Sequence, residues 1–124
     1  MRTRHHLAGV ATLAASLWLA GCHSGPPPLY DWGPYQAGLY EQFKGTGNGP
    51  EARIGPLEDH LRATQGSGRQ VPPGYLAHLG YLHLLAGHND QAARYWDMEK
   101  QAFPESRVFM DFLLKNLHRQ EKQP

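Results

Sequence analysis

The chain opens with an apolar stretch, Leu7 to Ala20, interrupted only by Thr12 and Ser16 and preceded by Arg2 and Arg4. Beyond residue 29 the pattern changes: apolar residues recur three to four positions apart, the period of amphipathic helices, and no convincing strand is seen. Tyr35, Leu39 and Phe43 stand at i, i+4 and i+8 with Tyr40 beside them. They predict a helix with an aromatic stripe, ended by the segment 45–49. Ile54, Leu57 and Leu61 predict a second helix that starts at Pro50, a residue favoured in a first turn. Gly55 and Pro56 lie inside that span and either kink the helix or move its start to Pro56. The stretch QGSGRQVPP at 65–73 is a loop by composition.

From Pro73 the chain reads PGYLAHLGYLHLLAGHNDQAARYWDMEKQAFPES. Leu76, Leu79 and Gly80 belong to one helix that Gly87 closes, and Ala92 and Trp96 to a second that Pro104 stops. Antiparallel helices cross closely only where small residues meet, so Gly80 and Ala92 are expected at the contact, with Trp96 filling the space alongside. Asn89 or Asp90 is expected to cap the second helix and Ser106 the next one. That last helix, RVFMDFLLKNLH, places Phe109, Leu113 and Leu117 on one side. The register over 73–106 resembles a tetratricopeptide repeat, a helical hairpin of about 34 residues. His83 and Glu99 depart from it, standing where the repeat favours tyrosine and a small residue. The expected fold is all-α: a short tetratricopeptide-like hairpin array with a C-terminal capping helix, in which 35–64 forms a degenerate second pair. Arrays of this kind normally need three or more repeats, so this one is expected to lean on a partner or on itself.

The N-terminal pattern carries an address. A run of fourteen residues is shorter than the roughly 20 that cross a hydrocarbon core as a helix, and a positive start before a short apolar run marks an export signal. Leu19, Ala20, Gly21 and Cys22 then resemble the bacterial lipobox, in which the cysteine thiol is joined to diacylglycerol and the chain is cut just before it. Cys22 is the sole cysteine, so it is the expected lipidation site and no disulfide forms. Acyl chains add about 0.8 kcal/mol of membrane affinity per CH₂. His23 follows where an aspartate would resemble inner-membrane retention, which points to the outer membrane, periplasmic face. The expected organisation is signal peptide 1–21, lipidated cysteine and proline-rich tether 22–28, helical-repeat domain 29–119 and a frayed tail 120–124.

Removing residues 1–21 leaves ten basic and eleven acidic residues. No cluster of Lys and Arg remains, so a nucleic-acid surface is not expected. Eight histidines invite a metal, but His78, His83 and His88 are five apart, about 140° beyond a full turn, which spreads them around a helix. No H-x-x-x-H or H-E-x-x-H occurs. Glu58 and Asp59 are sequential and face apart on a helix, Asp97 and Glu99 flank an apolar contact, and no serine sits in a G-x-S-x-G elbow. GTGNGP and GSGR lack the preceding strand and the G-K-[ST] of a phosphate loop. The sequence therefore reads as non-catalytic, with no cofactor and no bound metal.

Three stretches, YDWGPYQAGLY, VPPGYLAHLGYL and FPESRVFMDFLL, together resemble a family of small bacterial lipoproteins known as domain of unknown function 4810, over about residues 29–118. Asp31, Trp32 and Gly33 are the most specific part, and Gly55-Pro56 departs from a helix the family keeps unbroken. The resemblance implies an outer-membrane assembly whose other members are a curli-channel-like lipoprotein and a second small lipoprotein. The expected function is that of an accessory or scaffold subunit; the alternative is a regulator of a periplasmic peptidoglycan enzyme, which the short tether disfavours. Ala77, Tyr81 and Leu84, at i, i+4 and i+7, are a groove for a partner if exposed and core if the preceding helix covers them, the reading preferred here. With Trp32 they are the candidate partner surface.

Overall fold

The computed structural model describes residues 25–45 and 48–122. The segment expected to be a signal peptide, and Cys22, lie outside the described residues. The helices are α1 (Tyr35–Lys44), α2 (Pro50–Gly66), α3 (Tyr75–Leu85), α4 (Asn89–Ala102) and α5 (Arg107–Glu121), with a 3₁₀ turn (Pro104–Ser106) before α5. The fold is all-α, and no strand occurs among the described residues. None of these helices is long and apolar enough to cross a membrane.

Two apolar clusters hold the helices together. Ile54, Leu57 and Leu61 of α2 pack on Tyr75, Leu76, Leu79 and Leu82 of α3, and Val71 of the connecting loop joins them. Ala92 and Trp96 of α4 pack on Met110, Leu114 and Leu117 of α5. Between the clusters α3 and α4 cross at Gly80, where a Cβ would stand 2.6 Å from Trp96 Nε1 and 3.0 Å from the Ala92 carbonyl oxygen. Trp96 Nε1–H donates to the Ala77 carbonyl at 3.1 Å. The expected meeting of Gly80, Ala92 and Trp96 is therefore the centre of the hairpin.

Glu99, out of place by sequence, has a structural role. Its side chain is 1% exposed, and its carboxylate accepts the Gly74 N–H at 2.7 Å and the Ala77 N–H at 3.2 Å. An α-helix starts with N–H groups that lack intrahelical acceptors. The carboxylate of α4 supplies them to α3 from across the hairpin, at the end where the helix dipole favours negative charge.

Local expectations are met in part and corrected in part. For α2 the expected start at Pro50 is the one found, and the alternative start at Pro56 is not, since Pro56 lies inside the helix. Proline at 56 removes the bond to the Ala52 carbonyl, and Ala52 is exposed to water. α4 begins one residue early for a cap at Asn89 or Asp90: His88 holds the cap position without a side-chain cap, and Asp90 lies in the first turn. Ser106 does precede α5, but its hydroxyl donates backward to the Phe103 carbonyl at 2.7 Å. α5 runs through Glu121. Phe43 is 82% and Phe109 59% exposed, although each lies on an apolar stripe with spacing of four. Such a stripe advances about 40° beyond a full turn per step on a helix of 3.6 residues per turn, so one end swings to solvent. The seam α5 uses, Met110, Leu114 and Leu117, keeps the helical period.

Residues 29–34 form a strap across the loop between α2 and α3. Tyr30 meets the Phe103 ring edge-on at 6.2 Å. Asp31 donates its N–H to the Gln70 carbonyl at 2.8 Å, pairs with Arg69 Nη1 at 3.0 Å, and has His60 Nε2 3.3 Å from its carboxylate. Gly33 has φ +44°, and a Cβ there would overlap the His60 ring. Gly33→Ala is expected to destabilise the full chain by roughly 1–3 kcal/mol, the cost of left-handed strain in a residue with a Cβ. Chemical denaturation of the two proteins checks it, and an unchanged midpoint would show that the strap does not contribute to folding.

Candidate functional site

The strap and α1 place an aromatic row over α3. Trp32 stacks on Tyr35 (6.3 Å, 20°), Tyr35 meets His78 edge-on at 5.5 Å, and His78 lies 6.5 Å from Tyr81. Tyr35 also leans on the buried Tyr75 at 5.2 Å, whose hydroxyl donates to the Leu57 carbonyl at 2.8 Å. The row is thus anchored in the first apolar cluster. Its two ends, Trp32 and Tyr81, are each 41% exposed.

Beside the row a groove of about 250 Å³ opens between α1, α2 and α3, with Ala37 and Gly38 on one wall, Ala52, Pro56 and Leu57 on the other, and His78 at the end. Arg53 and Glu41 also line it. Arg53 Nη1 donates to Gln42 Oε1 at 2.9 Å, which ties α2 to α1. Its Nε is buried without an acceptor. Burial, and then the nearby Arg53 charge, lower the His78 pKa below the ordinary value. His78 is therefore neutral at pH 7 and contributes no positive charge to the groove.

A second polar cluster lies on the other side of α3. His83 Nε2 is 3.0 Å from Glu58 Oε1, which also accepts the Tyr95 hydroxyl at 2.8 Å. Burial, and then the bond to Glu58, push the Tyr95 pKa up, so the phenol stays protonated as a donor. His83 Nδ1 faces His88 Nδ1 at 3.4 Å. On one continuous helix these two histidines would point apart. They meet because α3 ends at Leu85 and Gly87, at φ +79°, turns the chain back. Even so, among the described residues no three His, Cys, Asp or Glu side chains are grouped to hold a metal ion.

The sequence-predicted surface is divided by the structure. Trp32 and Tyr81 share the aromatic row, whereas Ala77 and Leu84 are half-buried against the second cluster. Cys22 lies outside the described residues. The sequence pattern does not single out Arg53 and His78 for the groove. A signal for Arg53 exists: it stands at i with Leu57 at i+4 and Leu61 at i+8, a cation on an otherwise buried stripe.

No curated protein and no solved structure matches the chain. Over residues 29–113 its sequence matches the family model described as a domain of unknown function (DUF4810), and the chain belongs to that family.

Proposed function

We propose that this protein is a non-catalytic lipoprotein, anchored through Cys22 to the periplasmic face of the outer membrane, that serves as an accessory or scaffold subunit of an envelope assembly. It binds a protein partner through a domain of tetratricopeptide type. The lipobox supports the anchor, and the register of Leu76, Leu79, Gly80, Ala92 and Trp96 supports the repeat type. The observation that carries the binding role is the aromatic row, which leaves Trp32 and Tyr81 half open on one face beside a groove. Trp and Tyr are enriched where proteins meet, because each supplies a large rigid contact area with a polar tip.

The test is crosslinking of the full-length protein in cells, followed by identification of what is captured from the outer membrane. A curli-channel-like lipoprotein is the expected partner. Capture is expected to vanish in Cys22→Ala and to fall at least about tenfold in Trp32→Ala and Tyr81→Ala, the size of effect that truncation of an interface anchor produces. Capture of only a peptidoglycan synthase or hydrolase would replace the scaffold reading by a regulatory one. Capture of nothing but the protein itself would replace it by self-assembly.

A further inference from the structure

We infer that the outer face of α5 rests on the lipid surface itself, with Val108, Phe109 and Phe112 inserted at the level of the headgroups and Lys115, Arg119 and Lys122 over anionic headgroups. The inference rests on the reading of Cys22 as a lipid anchor and adds to it a second, weaker contact that orients the domain.

α5 has two apolar sides. Met110, Leu114 and Leu117 face the core. Val108, Phe109 and Phe112, at i, i+1 and i+4, lie on the opposite side of a helix that turns about 100° per residue, and they are 84%, 59% and 58% exposed. A helix that closes a repeat array carries a polar outer face, so closing the array does not account for this patch. Its row continues in a second chemistry. Val108, Phe112, Lys115, Arg119 and Lys122 follow one another at alternating steps of four and three, which keeps them on one line of the helix. That line is apolar in its first half and basic in its second, the two chemistries that a helix lying in a membrane interface combines. The three bases make no ion pair among the described residues. Of the carboxylates nearby, Asp111 is held by Lys100 at 2.9 Å, and Glu105 stands in the turn before the helix.

The path of the chain brings this face to the bilayer. From Cys22 to Leu29 it advances seven residues, a reach of at most about 25 Å. It arrives beside the start of α5: the Tyr30 ring meets Phe103 edge-on at 6.2 Å, and the 3₁₀ turn Pro104–Ser106 leads from Phe103 into α5. At 1.5–2.0 Å per helical residue, Val108 follows about 10 Å farther on. A short tether sets an effective concentration of about millimolar, so a contact too weak to hold a free domain on a membrane is occupied by an anchored one. A second copy of the chain fits the face less well, because a two-fold pair sets the same surface against itself. With the helices parallel the basic halves would meet each other, and with the helices antiparallel they would lie against the apolar halves. An anionic lipid surface suits both halves at once.

The experiment places the full-length lipidated protein in vesicles of phosphatidylethanolamine with phosphatidylglycerol and attaches an environment-sensitive fluorophore to Phe109→Cys, Phe112→Cys or Glu51→Cys. All three side chains are exposed, so labelling leaves the core intact. Glu51 is the reference: it lies in the first turn of α2, about 20 Å along that helix from the loop the strap crosses. Emission at 109 and 112 is expected to shift to the blue and to be quenched by lipid carrying a nitroxide on its acyl chain, and emission at 51 to show neither. Lys115→Gln combined with Arg119→Gln should lower the ratio of membrane-bound to free label at 112 by about 25-fold, at about fivefold per charge. Emission at 109 and 112 no bluer than at 51 would overturn the inference. A blue shift without nitroxide quenching, together with a crosslinked dimer, would overturn it in favour of a second copy. The unaltered protein separates the two readings, since an acylated Cys22 takes up no fluorophore. If it takes up none and 109 and 112 stay in water, the α5 inference fails alone. If Cys22 is labelled, the anchor reading fails, and the face is judged in a Cys22→Ser background on the same vesicles, where quenching at 109 and 112 upholds it and its absence overturns it.

Discussion

Replacing Trp96 by alanine is expected to lower the stability of the full chain by about 3–5 kcal/mol, the range for removing a buried large aromatic side chain. Trp96 is 2% exposed, fills the space beside Gly80, and reaches both the α3 backbone and the α5 side chains. A domain of this size has roughly 5–15 kcal/mol in total, so the variant retains little margin. At 4–8 °C per kcal/mol for domains of up to about 100 residues, the melting temperature should fall by about 12–40 °C. Thermal unfolding followed by circular dichroism reads this directly. A double-mutant cycle with Gly80→Ala makes the result specific. Alanine is the better helix former by about 1 kcal/mol, but its Cβ would stand 2.6 Å from Trp96 Nε1, so overpacking should make Gly80→Ala destabilising on its own. In the Trp96→Ala background the clash with the indole is gone and only the 3.0 Å approach to the Ala92 carbonyl oxygen remains, so the same change should cost less, a coupling expected only for residues in contact. Additive effects would show that the close crossing is not where the hairpin gains its stability.

The second large effect belongs to Glu99. Alanine there leaves the Gly74 and Ala77 N–H groups without their acceptors, and each buried orphan costs about 1–3 kcal/mol. A loss of about 3 kcal/mol is expected once relief of the carboxylate's own desolvation is set against two orphans. The pH dependence separates this capping role from mere volume. Burial raises the Glu99 pKa above the ordinary 4.5, and the backbone N–H bonds, which pull it down, only partly offset this. Folding therefore favours the protonated form. This group's contribution is fully present below pH 4.5, is lost as pH rises through the raised folded value, and is level above it. Glu99→Gln, which cannot ionise, should lack that part of the slope while losing about 1 kcal/mol or more for one misplaced amide donor. Denaturant titrations of both proteins between acid and neutral pH check it. Identical slopes would mean that Glu99 does not titrate in the folded chain.

The site is legible in the sequence only in part. Asp31, Trp32 and Gly33 stand out as a motif, and each has a distinct role in the fold. Asp31 clamps His60 and Arg69, Trp32 starts the aromatic row, and Gly33 lets the strap pass the His60 ring. His78 and Arg53 are visible only as an isolated histidine and a charge beside Ile54. Their meeting depends on how α1 lies against α2 and α3, and α1 buries no residue of its own that would announce its docking face.

The helices, their order and the α3–α4 crossing were determined by the sequence itself, because period, proline, glycine and the pairing of small with large side chains are local properties that survive in any all-helical packing. The partition of each apolar stripe between core and solvent was decided by tertiary structure. Phe109 and Met110 are equally apolar neighbours, and only the docking of α5 on Trp96 selects Met110. The same holds for Glu99, which reads as a misfit within α4 until the start of α3 is brought against it. It holds again for His83 and His88, which are set apart by helix geometry and joined when Gly87 ends the helix between them. In each case the deciding contact lies between elements, and a one-dimensional pattern records only which side chains each element can offer.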